Sequence, residues 1–361
     1  MNLRSTALVC LVSLSVFSLA DLSVAQVDPR PIEAARNKTV LEPGDLQAID
    51  EFVAAAVRDI VRTRDFSQVS KARAALTSKR GTQAQYVQQF SESCRRSIEN
   101  GLQQAANLPD DRRFRATLNL LVLISELQDP ALTELALPYL GNPNRALQYW
   151  AVQVVTHPAV LEKIKQGNWP VGAQIIGQLR QSIRAGSATT WGLVAEFAAR
   201  LGLAEGLSLL TEVADLRLAQ YAGGQVQDPP QVDTTILRLL STAIVAENGK
   251  NPAITGRFAQ LYSYVIQHLA KVYPALSGAQ RQPWVSAIVE VEEKCIAPVF
   301  DGYEMPLRKA IEKADMTALM AEHDALLGSR TAQGRLAAKW PFDYGPGPDG
   351  KVRTGPREVA K

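Results

Sequence analysis

Apolar residues in this chain return every three or four positions and almost nowhere every second one. Leu46, Ile49, Val53, Val57 and Ile60 form one such stripe, and Val87, Phe90, Cys94, Ile98 and Leu102 another. Trp191, Val194, Ala195 and Ala198 continue the pattern, as do Ile236, Leu239, Leu240, Ala243 and Ile244, and then Phe258, Leu261, Val265, Leu269 and Val272. That step is the period of one α-helical face, whereas a half-buried strand alternates every second residue. Even the β-branched cluster Val152, Val154 and Val155 lies inside a helical stripe. Turns rich in Gly, Pro, Asn and Asp separate the stripes, so the pattern predicts an all-α fold. Asp45 is placed to cap the first helix. A second long helix is expected to begin near Thr82 and to break at Asn107-Leu108-Pro109-Asp110.

The most informative turn is Gly141-Asn142-Pro143-Asn144. Pro143 stops a helix ending at Leu140, and Asn144 can cap one starting near Arg145. So short a link predicts two antiparallel helices. Each pair leaves one side bare, and stacking further pairs covers it, which is the logic of a helical solenoid. The stretch Leu140 to Val152 resembles the turn and second helix of a HEAT repeat, with a weaker echo at Asp110 to Arg115 around Phe114-Arg115. The resemblance covers roughly residues 109–157 and extends to the remainder only as helical stacking. It implies stacked antiparallel helix pairs forming a HEAT-like α-solenoid or irregular superhelix. Asn142 and Asn144 stand where acids are usual in that family, and Gln148 replaces its arginine, so the charged ladder between repeats is absent at this unit. An irregular helical bundle satisfies the same periodicity.

At the start of the chain, Arg4 precedes an apolar run from Ala7 to Ala20 and then Ser23-Val24-Ala25. A charged start, a short apolar stretch and a small-x-small site are the three parts of a secretory signal, with cleavage expected near Ala25. An uncleaved anchor is the alternative, although the run is shorter than the roughly 20 residues that span a bilayer. Cys10 lacks the context of a lipoprotein site. No later stretch is long and apolar enough to cross a membrane, because the richest, Leu118 to Leu127, contains Asn119, Ser125 and Glu126. A soluble secreted or periplasmic protein follows as the expectation.

The part after the signal exceeds the size at which one compact core stops growing. The expected organisation is a signal peptide at 1–25, an extended leader at 26–44 and a helical portion at 45–222. A flexible link at 223–231, a second helical portion at 232–340 and a disordered tail at 341–361 complete it. The link is suggested by Gly223-Gly224 in a Gln/Asp/Pro-rich stretch, and the tail by Pro341, Pro346, Pro348 and Pro356 among four glycines. Trp340, Phe342 and Tyr344 cluster at the root of that tail. They are candidates either for pinning it to the last helices or for docking a partner.

Thirty-nine basic against 36 acidic residues give a net charge of +3, and no basic face interleaved with aromatics occurs, which argues against nucleic acid. His157, His268 and His323 lack metal-motif spacing, and Glu322-His323-Asp324 is expected to be a solvated helix face, since consecutive helical residues point apart. Glu290, Glu292 and Glu293 are expected on the outer side of a helix whose buried stripe is Ile288, Val291, Cys295 and Val299. There Glu290 can pair with Lys294. Cys94 and Cys295 both lie on apolar stripes, where buried inert thiols are the default. A disulfide between them would require Cα atoms within ~7 Å and hence a curled solenoid. Asn37-Lys38-Thr39 has the form of a glycosylation acceptor. No Gly-x-Ser-x-Gly, Walker loop or His-Glu-x-x-His is present.

The sequence therefore assigns no catalytic, cofactor-binding or metal-binding residue. It favours an exported scaffold or binding protein whose partner is another envelope or extracellular protein. The alternative is a helical envelope enzyme acting on glycans or lipids through carboxylates brought together from distant helices.

Overall fold

A computed structural model describes residues 28–167, 169–202, 204–226, 230–347 and 350–360. The expected signal peptide, Gln26 and Val27 of the leader, residues 227–229 of the link, and Pro348, Asp349 and Lys361 of the tail lie outside the described residues. The fold is all-α. Among the described residues, β-structure amounts to two isolated antiparallel bridges, Gly328 with Gln333 and Pro346 with Val352. No described helix is long and apolar enough to cross a membrane.

The chain divides into two compact units, residues 1–104 and 105–361. The first contains α1 (Arg30–Arg36), α2 (Pro43–Arg62), α3 (Phe66–Ser78) and most of α4 (Ala84–Ala106). The region expected to be an extended leader thus holds a helix. Pro31 sits in its first turn, where the missing N–H costs nothing, and Ile32 and Ala35 are buried. Asp45 does not cap α2. Glu42 does, and Asp45 one turn in accepts from the Glu42 N–H at 2.8 Å, which closes a capping box that also engages Lys38. Leu46 and Val87, counted in the apolar stripes, are both exposed.

The second unit begins with α5 (Asp110–Leu127), a 3-10 helix (Pro130–Tyr139) and α6 (Arg145–Val155). Asn144 caps α6 as expected, accepting from the N–H groups of Ala146 and Leu147. The element before the turn is 3-10 rather than α, since Pro138 inside it offers no N–H and its ring crowds the preceding turn. Next come α7 (Pro158–Lys165), α8 (Val171–Ser182), α9 (Ala188–Leu201), α10 (Ala204–Ala222) and α11 (Gln231–Ala246). They are followed by α12 (Pro252–Val272), α13 (Gly278–Val291), a π-turn (Glu292–Ile296), α14 (Pro306–Glu312), α15 (Met316–Leu327) and α16 (Arg335–Lys339).

Helix α12 packs on α10, α11, α13 and α15. Residues Phe258 to Ile266 are buried without a break, so the helix is enclosed rather than striped. Around it the packing is bundle-like.

No domain boundary falls at 223–231. Helices α10 and α11 are joined across that link by a fully buried pair, Arg217 Nε donating to Asp233 Oδ1 at 2.6 Å and Nη2 to Oδ2 at 2.9 Å. Tyr221 donates its hydroxyl to the same carboxylate and Gln220 accepts from Arg217 Nη1. The C-terminal segment is likewise not a disordered tail. Thr354 donates its hydroxyl to the Ser329 carbonyl at 2.7 Å, and Gly355 lies so close to Ser329 that a Cβ there would be 2.5 Å from the same oxygen. Proline and glycine removed the helical option from this segment but left its backbone groups available to side chains.

Candidate functional site

The face of α12 that meets the C-terminal segment carries Gln260, Ser263, Gln267 and Lys271, spaced so that all four fall on one side of the helix. Gln260 is buried, and its amide makes two bonds to one residue: Nε2 donates to the Arg357 carbonyl at 3.2 Å and Oε1 accepts from the Arg357 N–H at 2.8 Å. Gln267 Nε2 donates to the same carbonyl at 3.0 Å, while its Oε1 accepts from the Val359 N–H at 2.8 Å. Lys271 Nζ donates to the Ala360 carbonyl at 2.6 Å. Every one of these bonds goes to main chain.

Gln267 is itself oriented from beneath. Its Nε2 donates to Ser263 Oγ at 2.8 Å, Ser263 Oγ lies 2.7 Å from His323 Nε2, and His323 Nδ1 lies 2.8 Å from Asp324 Oδ1. The carboxylate only accepts, so Nδ1 carries the imidazole proton, Nε2 accepts from the Ser263 hydroxyl, and Ser263 accepts from Gln267. The direction of every proton in the chain is then fixed, and with it which end of the Gln267 amide faces Val359. Burial pushes the His323 pKa down, and the bond to Asp324 pulls the other way.

This corrects the expectation of a solvated face at Glu322-His323-Asp324. His323 is buried on the side of α15 that carries Leu319 and Leu326, whereas Glu322 is half-buried and Asp324 is exposed. The order of groups is that of a hydrolytic triad, yet Ser263 is fully buried, so no substrate carbonyl reaches its Oγ in this arrangement.

Beside the docked segment, α10, α12 and residues 343–345 enclose a groove of about 710 Å3. Arg257 spans one wall, its Nε and Nη2 donating to the two oxygens of Asp215 at 2.7 and 2.8 Å. Gly256, Ala253, Tyr264 and Gln260 line the α12 side of the groove, and Asp343 and Arg357 line it from the C-terminal segment. Burial raises the Tyr264 pKa, and the charges of Arg357 and Arg353 act against it.

The aromatic cluster, a candidate either for pinning the segment or for docking a partner, makes its contacts within the chain. Trp340 sets its edge against Phe258 at 6.0 Å, Tyr344 donates its hydroxyl to the Leu327 carbonyl at 2.7 Å, and Phe342 meets Tyr344 edge-on at 5.2 Å. All three are buried, so they pin the segment and do not present a surface, although Tyr344 forms part of the groove wall.

Glu292 also departs from expectation. It is fully buried and accepts from the N–H groups of Leu307 and Arg308 at 2.9 and 2.8 Å and from the Tyr303 hydroxyl at 3.1 Å. It lies four residues after Ile288, on the buried side of the helix, and its carboxylate reaches the start of α14. Burial raises its pKa, and those donors oppose the shift. Glu290 stays at the surface with Lys294 at 3.0 Å and Arg238 at 3.5 Å. His157 caps α7, its Nδ1 accepting from the Ala159 N–H. His268 stacks on Trp284 at 4.5 Å. Cys94 and Cys295 are both buried, one in each unit. Among the described residues no group of three or more His, Cys, Asp and Glu is placed to hold a metal ion.

No family model, curated protein or solved structure matches this chain.

Proposed function

We propose that this chain is an exported helical binding protein, in which HEAT-like stacked helices serve as scaffold and the groove of the second unit holds a segment of another protein. The observation that carries the reading is that α12 already binds an irregular stretch of polypeptide beside that groove through five side-chain bonds to main-chain groups. A surface that recognises backbone suits a protein ligand better than a glycan or lipid. The carboxylates lining the groove also do not support acid-base work: Asp215 is held by Arg257, and Asp343 accepts from the Gly345 N–H. Among the described residues the carboxyl with a raised pKa, Glu292, does not line this groove.

Affinity capture tests this. The chain from Gln26 onward, immobilised and exposed to an envelope extract, is expected to enrich a defined protein under mild salt. A variant carrying Ala253→Trp, which fills the α12 side of the groove without pressing on the Asp343 carbonyl as a side chain at Gly256 would, is expected to lose it. Equal recovery on both surfaces refutes the reading.

A further inference from the structure

Pro356 to Ala360 form no helix or turn, and the Gln260, Gln267 and Lys271 side chains hold them through their main-chain groups. Just before the stretch Thr354 donates to the Ser329 carbonyl and Gly355 packs on the same residue, and within it Glu358 pairs with Arg330 at the surface. Exposed ion pairs of that kind hold weakly. The receptor side is built differently. Gln260 is buried, and Gln267 is oriented through Ser263, His323 and Asp324, so these amides are set in place by the helical core rather than by the segment they bind. A receptor set in place by the core, holding its occupant through main-chain hydrogen bonds that another extended segment can also offer, is the arrangement of a site that can exchange its occupant.

We propose that the Gln260/Gln267/Lys271 face of α12 is a main-chain-reading site for extended peptide segments, and that the C-terminal residues 356–360 occupy it as an intramolecular competitor. The inference rests on the protein-binding reading above and specifies its partner: an unwound, proline-poor peptide segment that offers an N–H, a C=O and a second N–H at the positions of Arg357 and Val359. The chain's own segment is present at high effective concentration, so a partner in trans sees only the fraction of molecules in which it has lifted away. Because recognition runs through N–H and C=O groups, it tolerates changes of side chain and fails wherever a required N–H is removed.

The probe is a fluorescein-labelled peptide of residues 351–361, read by fluorescence anisotropy against the full chain. Val359→Pro removes one tethering N–H from the resident segment and leaves α12 untouched. This variant is expected to bind the peptide saturably, and the unaltered chain to bind it about tenfold or more weakly. The same peptide N-methylated at Val359 is expected not to bind, and adding Gln267→Leu to the variant is expected to abolish binding of the unmodified peptide. Should Val359→Pro lose its helical circular dichroism, Gly355→Val releases the segment by a clash with Ser329 instead. Independently, the Arg357 and Val359 amides of the unaltered chain are expected to be protected from hydrogen exchange. Unprotected amides, or equal binding of the methylated and unmodified peptides, overturn the proposal. Failure of the peptide to bind either opened variant overturns it too, and leaves the envelope-capture result to stand or fall separately.

Discussion

Arg217 and Asp233 show at the level of single side chains how much this fold depends on buried charge. Both are fully inaccessible, and each satisfies the other through two parallel bonds. Removing one partner strands the other charge, so Asp233→Ala is expected to destabilise the chain by about 3–5 kcal/mol in urea denaturation. Replacing the pair together, Arg217→Met with Asp233→Leu, is expected to cost far less, because the desolvation penalty of both ions disappears. Titration gives a second test. His323 has its pKa lowered by burial from the ordinary value of 6.5, so between the two values the unfolded chain binds the extra proton. Stability therefore falls as pH drops below 6.5 toward the folded value. His268, also lowered by burial, adds to the same trend. Denaturation midpoints measured from pH 7.5 to 5 are expected to decline in the unaltered chain and to decline less in His323→Gln. Glu292 has the opposite sign: its raised pKa means that stability is greatest below 4.5 and is lost as pH rises through the folded value.

Among the elements, the π-turn at Glu292–Ile296 and the short helix α14 belong together. Met305, immediately before α14, is held at φ 54°, a left-handed conformation that costs a non-glycine residue energy. The Glu292 carboxylate offsets it by accepting two of the N–H groups that every helix start leaves unpaired. Glu292→Ala is accordingly expected to lower stability by about 2–3 kcal/mol, read by urea denaturation, and to speed amide exchange at Leu307 and Arg308. Part of this was legible from spacing: Glu292 lies four residues after Ile288 and so shares the buried side of a regular α-helix, whereas Glu290 and Glu293 fall outside it. Its partners were not legible, since Tyr303, Leu307 and Arg308 come from the next helix start and the loop before it. Asn144 was legible because a cap is a local interaction between near neighbours in sequence, whereas the glutamine face of α12 was not. Its polar positions share a helix with a strong apolar stripe, and their partners lie some ninety residues away. The signal available was a polar row, Gln260, Ser263 and Gln267, on a helix otherwise apolar enough to be enclosed.

For the molecule as a whole, helical content followed from periodicity, because three- and four-residue spacing constrains the local backbone regardless of what the helix packs against. Division into units did not. A Gly/Pro-rich stretch at 223–231 looks like a boundary, yet an ion pair bridges the helices on either side, while the actual division falls at the last turn of α4 with no change in composition to mark it. Cys94 and Cys295, each buried in a different unit, make the division testable. If the units unfold separately, labelling by a thiol reagent across a denaturant series is expected to show two transitions, assigned with Cys94→Ser and Cys295→Ser. A single coincident transition would mean that the units unfold as one.

The pairing of Gln260 and Gln267 with backbone also bears on how the end of this chain can change over time. Nothing in that pairing inspects the identity of Arg357 or Val359, so mutation can replace either with almost any residue and leave the attachment whole. Proline is the exception at both places, since each must supply an N–H. At position 356, whose N–H is not engaged by Gln260 or Gln267, proline is already present. Drift in this stretch should therefore be broad in side-chain character and narrow in a single respect, a prohibition on one residue type at two positions.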